Sequence, residues 1–524
     1  MSNIFTDINL KKPRSNTFNL SHEKKLSLKM GQLCPICIME VVPGDIFNIS
    51  TSQMIRLAPM LAPIMHSINV YTHFFYVPNR ILWDNWEDFI TGGEDGTKEP
   101  AFPIVTLNMN DTPNSSLADY MGLPVGTNDQ DVEVSAVPFA AYAKVVYEYY
   151  RDQNLQPLDQ LTDIDLVDGE QSQAFKDQVA GALFQRAWQH DYFTSALPWT
   201  QKGVEATIPL GTEAPLVMDP TRGTTSLRDA NPDIPYPTLE SINTQPLGAG
   251  GLTNPAGATD GVMNFDVTTN TYADLSTATA AGIIDLRRAF KLQEWLEKNA
   301  RGGTRYTESI LSHFGVRSSD ARLQRPEFLG GSTSPVAISE VLQTSGNENE
   351  PTPQGNMAGH GISVGANRNI RYFAEEHGYI IGLMSVMPKT GYYQGIHKHF
   401  SKFDRFDYYW PSFAHIGEQP IMNQELYFSD DSEYNEGTFG YTPRYAEYKF
   451  IPSTVHGAFR TSLDYWHLDR KFDDEPNLNG DFIQCIPDTR IFPVELETTE
   501  QLYCHVYNKV RATRRMPYFG NPKM

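Results

Sequence analysis

Apolar positions near the two ends of the chain form short runs that favour strands. Residues 68–77 are rich in β-branched and aromatic side chains and stop at Pro78, and residues 379–387 form an apolar run that ends at Pro388. Residues 502–510 alternate between apolar and polar positions, as a half-buried strand does. Pairing of the first and last strands would leave the core open until the whole chain is present, which is typical of a Greek-key or jelly-roll sandwich.

Three segments between these runs carry apolar residues at helical spacing. Pro138 suits the first turn of the first helix, Asp285 could cap the third, and Gly302 and Gly303 could end it. Such stripes usually pack in a core, so we expect them to face inward. The stripes are Phe139, Tyr142, Val146 and Tyr149; then Phe175, Val179, Leu183 and Ala187; then Leu286, Phe290, Trp295 and Leu296.

Residues 204–282 follow neither pattern. Between Gly211 and Gly282 the sequence has no lysine, two arginines and three aromatic residues, and it is rich in Gly, Pro, Thr, Asn and Asp. So little apolar content cannot supply a separate core. We therefore expect a functional insertion in preference to a merely tolerated surface loop.

Length and composition leave the domain count open. At 524 residues the chain fits either several domains or one β-rich core with long insertions. Aromatic residues make up 12% and charged residues only 20%. The chain therefore has much to bury, either in its own core or against neighbouring molecules.

Charge is unevenly distributed along the chain. Residues 1–30 carry a net charge of +4 and residues 505–524 carry +5, whereas the whole chain carries −21. The chain between these ends therefore carries −30. Basic ends on an acidic body suit a protein that meets a polyanion at its termini, although many soluble proteins also have basic ends.

One cluster of tryptophans and acids has the composition of a sugar-cleaving site. Asp84, Glu87 and Asp88 place carboxylates beside the indoles of Trp83 and Trp86. Nothing in the sequence sets the separation of these carboxylates. A turn that anchors its tryptophans in the core is therefore the favoured interpretation.

Two further polar clusters are weak candidates for metal sites. His397, His399 and Asp404 are too few to define a site, although alternate residues share a strand face. The acids of residues 430–436 lack the spacing and the glycine of a calcium loop, so a solvated acidic turn is favoured. No motif of a hydrolase nucleophile, a phosphate-binding loop or a zinc protease occurs. We therefore expect no catalytic residues, no metal and no cofactor.

The four cysteines, Cys34, Cys37, Cys485 and Cys504, do not complete a zinc set, because the single CxxC pair has no second pair and no nearby histidines. We expect reduced, half-buried thiols. The first residues lack the basic and apolar regions of a signal peptide, and no apolar run reaches the ~18 residues that a membrane span needs. These features predict synthesis in a reducing cytosol.

Several long blocks of sequence follow one another from residue 18 to the C-terminal tail. The two most specific are HDYFTSALPWTQKG at 190–203 and LRRAFKLQEWLEKNARGGTRYTESI at 286–310. Others are FNLSH at 18–22, PGD at 43–45, LAPMLAPIMH at 57–66, WDNWEDFITGG at 83–93 and PYFG at 517–520. In this order they resemble the major capsid proteins of the microviruses, small single-stranded DNA bacteriophages, and in particular those of the gokushovirus branch.

This resemblance implies a mainly β fold. The expected fold is the eight-stranded jelly-roll (β-sandwich) capsid fold with large loop and helical insertions. Family members assemble as sixty copies in a T=1 icosahedral shell around a circular single-stranded DNA genome. An internal scaffolding protein and a DNA pilot protein are the partners that the resemblance implies, with assembly in the host bacterial cytoplasm. The insertion at 204–282 corresponds to an insertion that, in this family, builds protrusions at the threefold axes of the shell. A host surface receptor could bind there. We therefore expect a structural virion protein that is not an enzyme.

The resemblance divides the chain into five segments: a basic N-terminal arm (1–30), the first part of the jelly roll with helical insertions (31–203), the insertion (204–282), a helical segment with the remainder of the jelly roll (283–510) and a basic C-terminal tail (511–524). We expect basic residues near both ends to bind genome phosphates without sequence preference, with possible base stacking on Tyr518 or Phe519. The candidate nucleic-acid-binding residues are Lys11, Lys12, Arg14, Lys24, Lys25, Lys509, Arg511, Arg514 and Arg515.

Two other classes of protein compete with this interpretation. A carbohydrate-active β-sandwich enzyme could use the cluster at residues 83–88, and a secreted adhesin or lectin would share the β-rich pattern. The missing signal peptide argues against both classes, and neither explains the basic ends.

Overall fold

The computed structural model describes most of the chain, which divides into two units. The larger contains residues 1–200 and 299–524, and the smaller contains residues 201–298. The predicted insertion at 204–282 lies mainly outside the described residues, so its boundaries stay a prediction. The described residues are 14–126, 129–156, 164–206, 283–303, 305–344, 355–493 and 500–519, with the backbone of 216–218, 227–229, 263–265 and 271–273.

Strands and additional helices make up the described elements, and the sheets are antiparallel. The strands are β1 (Asn16–Asn19), β2 (His22–Leu28), β3 (Cys34–Val41), β4 (Ile46–Leu57), β5 (Ile68–Pro78), β6 (Ile104–Asn108), β7 (Asp131–Ser135), β8 (Leu216–Met218), β9 (Leu227–Asp229), β10 (Met263–Phe265), β11 (Thr271–Ala273), β12 (Glu327–Pro335), β13 (Ala337–Leu342), β14 (Met357–Ala366), β15 (Ile370–Phe373), β16 (Gly378–Pro388), β17 (Glu418–Met422), β18 (Thr438–Pro443) and β19 (Leu502–Arg514). The α-helices are α1 (Trp86–Thr91), α2 (Leu117–Met121), α3 (Val137–Tyr149), α4 (Gln173–Ala180), α5 (Ile283–Gly302), α6 (Tyr306–Phe314), α7 (Asn423–Leu426), α8 (Ser432–Glu436) and α9 (Gly480–Ile483).

Two sheets form the centre of the larger unit. The first has the order β1-β19-β4-β14-β13, with β2 also paired to β19 and β15 also paired to β4. The second has the order β12-β5-β16-β3. The chain crosses between the two sheets several times, so that each sheet is built from strands distant in sequence. The predicted mainly β class is confirmed.

The last strand completes the first sheet. It pairs with β2 along Leu502–Asn508 and with β1 along Arg511–Arg514, while β4 lies on its other side. The pairing of the first and last strands, considered from the sequence only as a condition, is therefore present, although β1 and β2 were not predicted and the predicted strand at 68–77 pairs with β12 and β16. The contacts between the two ends of the chain join residues almost 500 positions apart, so the sheet cannot be complete before the C-terminus is present.

Apolar side chains from the facing sides of the two sheets form one core. Phe47, Ile55 and Val506 from the first sheet pack with Phe74 and Met384 from the second. The other side of the second sheet is covered by α2, α3 and α4, which form a separate cluster with it. Since β16 is buried on both sides, its sequence is continuously apolar and does not alternate.

Two of the three predicted helices need correction. The first is confirmed, because α3 buries Phe139, Tyr142 and Val146. The second stripe overruns its helix, since α4 ends at Ala180 and the next residue, Gly181, is extended. Leu183 of that stripe is nonetheless buried in the same cluster as the helices.

The third predicted helix exists, but its apolar stripe does not face a core as predicted. It begins at Ile283, so Asp285 lies in its first turn and does not cap it. Leu286, Phe290 and Trp295 are exposed, and only Leu296 of the stripe is buried. Helical spacing places side chains on one face of a helix, but it does not determine whether another element covers that face.

Candidate nucleic-acid interface

The outward side of the first sheet carries two of the C-terminal basic residues singled out above. Side chains alternate across a strand, so Val506 and Val510 of β19 enter the core, whereas Lys509 and Arg511 are exposed. We call the outward side chains of β1, β2, β4, β15 and β19 the open sheet face. This face is an exposed platform on which a ligand could lie across several strands.

Register determines which side chains are neighbours on the open sheet face. Lys509 lies opposite Ser50 of β4, and Arg511 lies between Asn48 of β4 and Asn19 of β1. Directly opposed side chains on neighbouring strands are close enough to touch the same ligand. Small polar neighbours therefore leave both cations accessible.

Aromatic side chains continue the same row of β19. Tyr503 is 49% exposed and Tyr507 is 39% exposed, and both point to the same side as Lys509 and Arg511. Tyr503 lies opposite Arg56 of β4. Cations interleaved with exposed tyrosines suit a single strand of nucleic acid, because phosphates bind the cations and bases stack on the rings.

Positive charge dominates the open sheet face. The carboxylate of Glu23 lies 3.2 Å from Nε2 of His505, and a hydrogen bond with this histidine lowers the pKa of Glu23. Within the described part of the chain, no ion pair involves Arg56, Arg371, Lys509 or Arg511. The outward charges on these strands are Lys25, Arg56, Arg371, Lys509 and Arg511 against Glu23. Such an excess of cations is notable in a chain whose net charge is −21.

Two of the predicted phosphate-binding residues are held in internal contacts. The Nζ of Lys24 donates to the backbone carbonyl of Pro35 at 2.6 Å and also to that of Tyr120. Burial lowers the pKa of Lys24. Arg514 lies 3.1 Å from the buried carboxylate of Asp45. Neither residue presents its charge on the open sheet face.

The remaining predicted residues lie in different places. Lys25 is exposed on β2 and its Nζ lies 3.7 Å from Glu23, while Arg14 and Arg515 are exposed beyond the strand ends. Lys11 and Lys12 lie outside the described residues. In the tail, the ring of Tyr518 stacks on Phe18 of β1, with centroids 5.9 Å apart, and Phe519 lies against Tyr518.

Sequence reasoning missed four residues of the open sheet face: Arg56, Arg371, Tyr503 and Tyr507. The alternation in β19 already placed both tyrosines on the same side as Lys509. Arg56 and Arg371 had no such signal, because their position beside β19 depends on pairing between strands distant in sequence.

The tryptophan cluster is structural, as favoured from the sequence. Trp83 is buried and its Nε1 donates to Asp168 at 2.7 Å. Asp84 is exposed, and Asp88 pairs with Lys98 at 2.8 Å. The acids therefore do not converge on a cleft beside the indoles.

The other weak candidates also have local structural roles. His397 caps a short 3-10 helix, and its ring contacts that of His399. Asp431 caps α8 by accepting from the backbone of Glu433. Across the described ranges, no group of three or more His, Cys, Asp or Glu side chains could hold a metal ion.

The CxxC cysteines are buried on opposite sides of β3. Cys34 packs in the cluster with the helices, whereas Cys37 packs between the two sheets. Burial raises the pKa of each thiol to about 12. Cys485 and Cys504 are also buried and free. These thiols are therefore protonated core side chains.

No helix in the part of the chain that the structure describes is long and apolar enough to span a membrane. The larger unit is a β-sandwich with a charged outer face, and comparison with known proteins identifies the class of protein. Residues 7–524 match the family described as Capsid protein (F protein).

Three relatives are each named Capsid protein VP1. The protein of Chlamydia phage 1 is 36% identical over 100% of this chain and 98% of its own length. That of Bdellovibrio phage phiMH2K is 37% identical over 89% of this chain and 87% of its own length. That of Spiroplasma virus 4 is 33% identical over 97% of this chain and 95% of its own length.

The chain belongs to the Capsid protein (F protein) family. It is a phage major capsid protein, a virion component that forms multimers, and it is not an enzyme. The resemblance found in the sequence blocks is thereby confirmed. The carbohydrate-active and adhesin alternatives lose their support, because relatives over the full chain are structural.

Proposed function

We propose that sixty copies of this chain form a T=1 icosahedral shell around a circular single-stranded DNA genome. Family membership and the β-sandwich support this proposal, since closed shells are built from such sandwiches in many viruses. Assembly takes place in the host bacterial cytoplasm, with an internal scaffolding protein and a DNA pilot protein as partners.

In this proposal the open sheet face meets the genome, together with the basic arm and tail. The observation that carries it is the position of Lys509 and Arg511, exposed beside tyrosines on a face with Glu23 as its outward acid. Phosphate contacts from these cations are independent of sequence, as a shell protein requires.

Electron microscopy of the purified protein tests the shell directly. We expect uniform icosahedral particles, or pentamers that close into particles when the scaffolding protein is added. A protein that stays monomeric under both conditions contradicts the proposal. Release of protected single-stranded DNA from particles made in cells tests the enclosed genome.

The insertion at 204–282 is proposed to form threefold protrusions that bind a host surface receptor. A segment with so few apolar residues can gain burial by meeting copies of itself around an axis. Replacing residues 211–261 with a Gly-Ser bridge should leave the subunit folded while reducing attachment. A subunit that no longer folds would assign the insertion to the core, and normal attachment would remove the receptor role.

A further inference from the structure

Residues 398–416 of the larger unit carry several exposed aromatic side chains, and we call them the aromatic segment. In the sequence, this segment lies outside the strands that form the open sheet face. Phe403 is 91% exposed and Ile416 is 61% exposed. A single exposed apolar side chain is ordinary, but a dense group of them marks an interaction surface. The exposed members are Phe400, Phe403, Phe406, Tyr408, Tyr409, Trp410 and Ile416.

A buried ion pair anchors the aromatic segment to the body. Nζ of Lys402 lies 2.9 Å from Glu447, and both side chains are almost fully buried. Burial opposes ionisation of Glu447, but hydrogen bonds from Gln419 and Lys402 outweigh it and lower the pKa of this carboxyl. This ion pair therefore fixes the backbone of the aromatic segment against the rest of the larger unit.

Hydrogen bonds fix the backbone within the segment as well. Asp407 accepts from the backbone N–H groups of Phe403 and Asp404 at 2.9 and 2.8 Å. The indole Nε1 of Trp410 donates to the carbonyl of Arg405 at 2.9 Å. Rings presented by an ordered backbone lose little entropy when a partner covers them.

The charges of the segment argue against a nucleic-acid partner. Lys398 is paired with Glu425 at 2.8 Å and Lys402 with Glu447, so both lysines are already neutralised. The guanidinium of Arg405 lies over the ring of Phe406 at 4.8 Å. Among the described residues Arg405 forms no ion pair. Exposed aromatics around one unpaired arginine match the composition of protein interface cores.

We propose that the aromatic segment is a contact surface between copies of this chain in the capsid. A capsid protein must bury part of its surface against identical neighbours, and this segment combines exposed rings with an arginine available to an acidic group of the neighbour. The inference rests on the proposed shell, because it assigns one of the contacts that hold the shell together.

Phe403→Asp and Ile416→Asp test the proposal, with Phe403→Leu and Ile416→Val as conservative controls. Both side chains are mostly exposed, so we expect all four variants to fold with unfolding midpoints close to that of the unsubstituted protein. The Asp variants should form at least tenfold fewer particles, measured by sedimentation and electron microscopy. Normal particle yield from the Asp variants overturns the inference, whereas failure of the unsubstituted protein to assemble overturns the proposed shell instead.

A labelling experiment provides an independent test. The native cysteines are buried, so Phe403→Cys introduces a single accessible thiol. We expect a maleimide to label this thiol at least tenfold more slowly in particles than in dissociated subunits. Equal labelling rates in the two states would show that residue 403 stays exposed in the shell and would overturn the proposal.

Discussion

The guanidinium of Arg514 lies 3.1 Å from the carboxylate of Asp45, which is 1% exposed. This contact joins the end of the last strand to the turn before β4. Asp45 also accepts from the backbone N–H of Val42 at 3.1 Å. Although Arg511 and Arg514 are close in sequence, the first is exposed on the open sheet face and the second holds the fold together.

Removing Arg514 should destabilise the subunit. Burial raises the pKa of Asp45, and the bond from Val42 and the charge of Arg514 oppose this effect. Arg514→Ala would leave a buried carboxylate without its cation, which costs about 3 kcal/mol. Urea unfolding measures the loss.

Two comparisons separate this effect from a general loss of charge. Arg511→Ala should change the free energy of unfolding by less than about 0.5 kcal/mol, because Arg511 is exposed and forms no ion pair with the residues that the structure describes. Adding Asp45→Asn to Arg514→Ala should recover part of the lost stability. Equal losses for Arg511→Ala and Arg514→Ala would contradict the structural role of Arg514.

His73 should make stability fall in mild acid. Its Nδ1 lies 2.6 Å from the hydroxyl of Tyr150, and burial, aided by the charge of Arg186, lowers its pKa to about 4. The unfolded chain binds this proton near pH 6.5, whereas the folded chain does not bind it until about pH 4. The contribution of neutral His73 to the free energy of unfolding is therefore fully present above pH 6.5. It falls by up to about 3 kcal/mol as the pH drops towards 4.

His73→Gln isolates this contribution, because Gln can still bond to the hydroxyl of Tyr150 but does not titrate. The free energy of unfolding of the variant should depend less on pH between 6.5 and 4 than that of the unsubstituted protein. Carboxyl groups titrate in both proteins, so only the difference between the two curves reports on His73. Parallel curves would contradict the prediction.

Sequence patterns identified the two strands that end at prolines and the alternating last strand, but not β1 and β2, which pair with it. They also identified α3, whose stripe faces a sheet. For α5 they predicted the helix but not the exposure of its apolar face. The helical spacing of Phe290 and Trp295 does not indicate whether another helix or strand packs against that face. Similarly, composition identified the basic ends, but it did not separate Lys509 from Arg514. Alternation along β19 places Lys509 on the outward side, whereas the contact of Arg514 with Asp45 depends on the fold.

Replacing the cations of the open sheet face should weaken single-strand binding in a salt-dependent way. Each phosphate contact contributes about 0.7 to the slope of log affinity against log salt. Four substitutions to Gln should therefore lower that slope by roughly 3 if all four residues bind phosphate. Filter binding or fluorescence anisotropy at several salt concentrations measures the slope. The substituted residues are Arg56, Arg371, Lys509 and Arg511.

A charge-matched variant is the control for this experiment. It removes four exposed cations that lie outside the open sheet face, so both variants have the same net charge. The control should keep most of the original slope. Equal slopes for the two variants would show that net charge alone drives binding. The control residues are Arg317, Arg322, Lys389 and Lys449.

Tyr503 and Tyr507 should affect the affinity for single-stranded DNA without affecting its salt dependence. Stacking of a base on an aromatic ring is worth about 1–3 kcal/mol and releases no counterions. Tyr503→Ala and Tyr507→Ala should therefore each weaken binding by roughly 5- to 150-fold at any one salt concentration. Tyr→Phe at the same positions keeps the ring and should keep the affinity. If the Phe variants bind as weakly as the Ala variants, the hydroxyl groups are responsible and stacking is not the mode of contact.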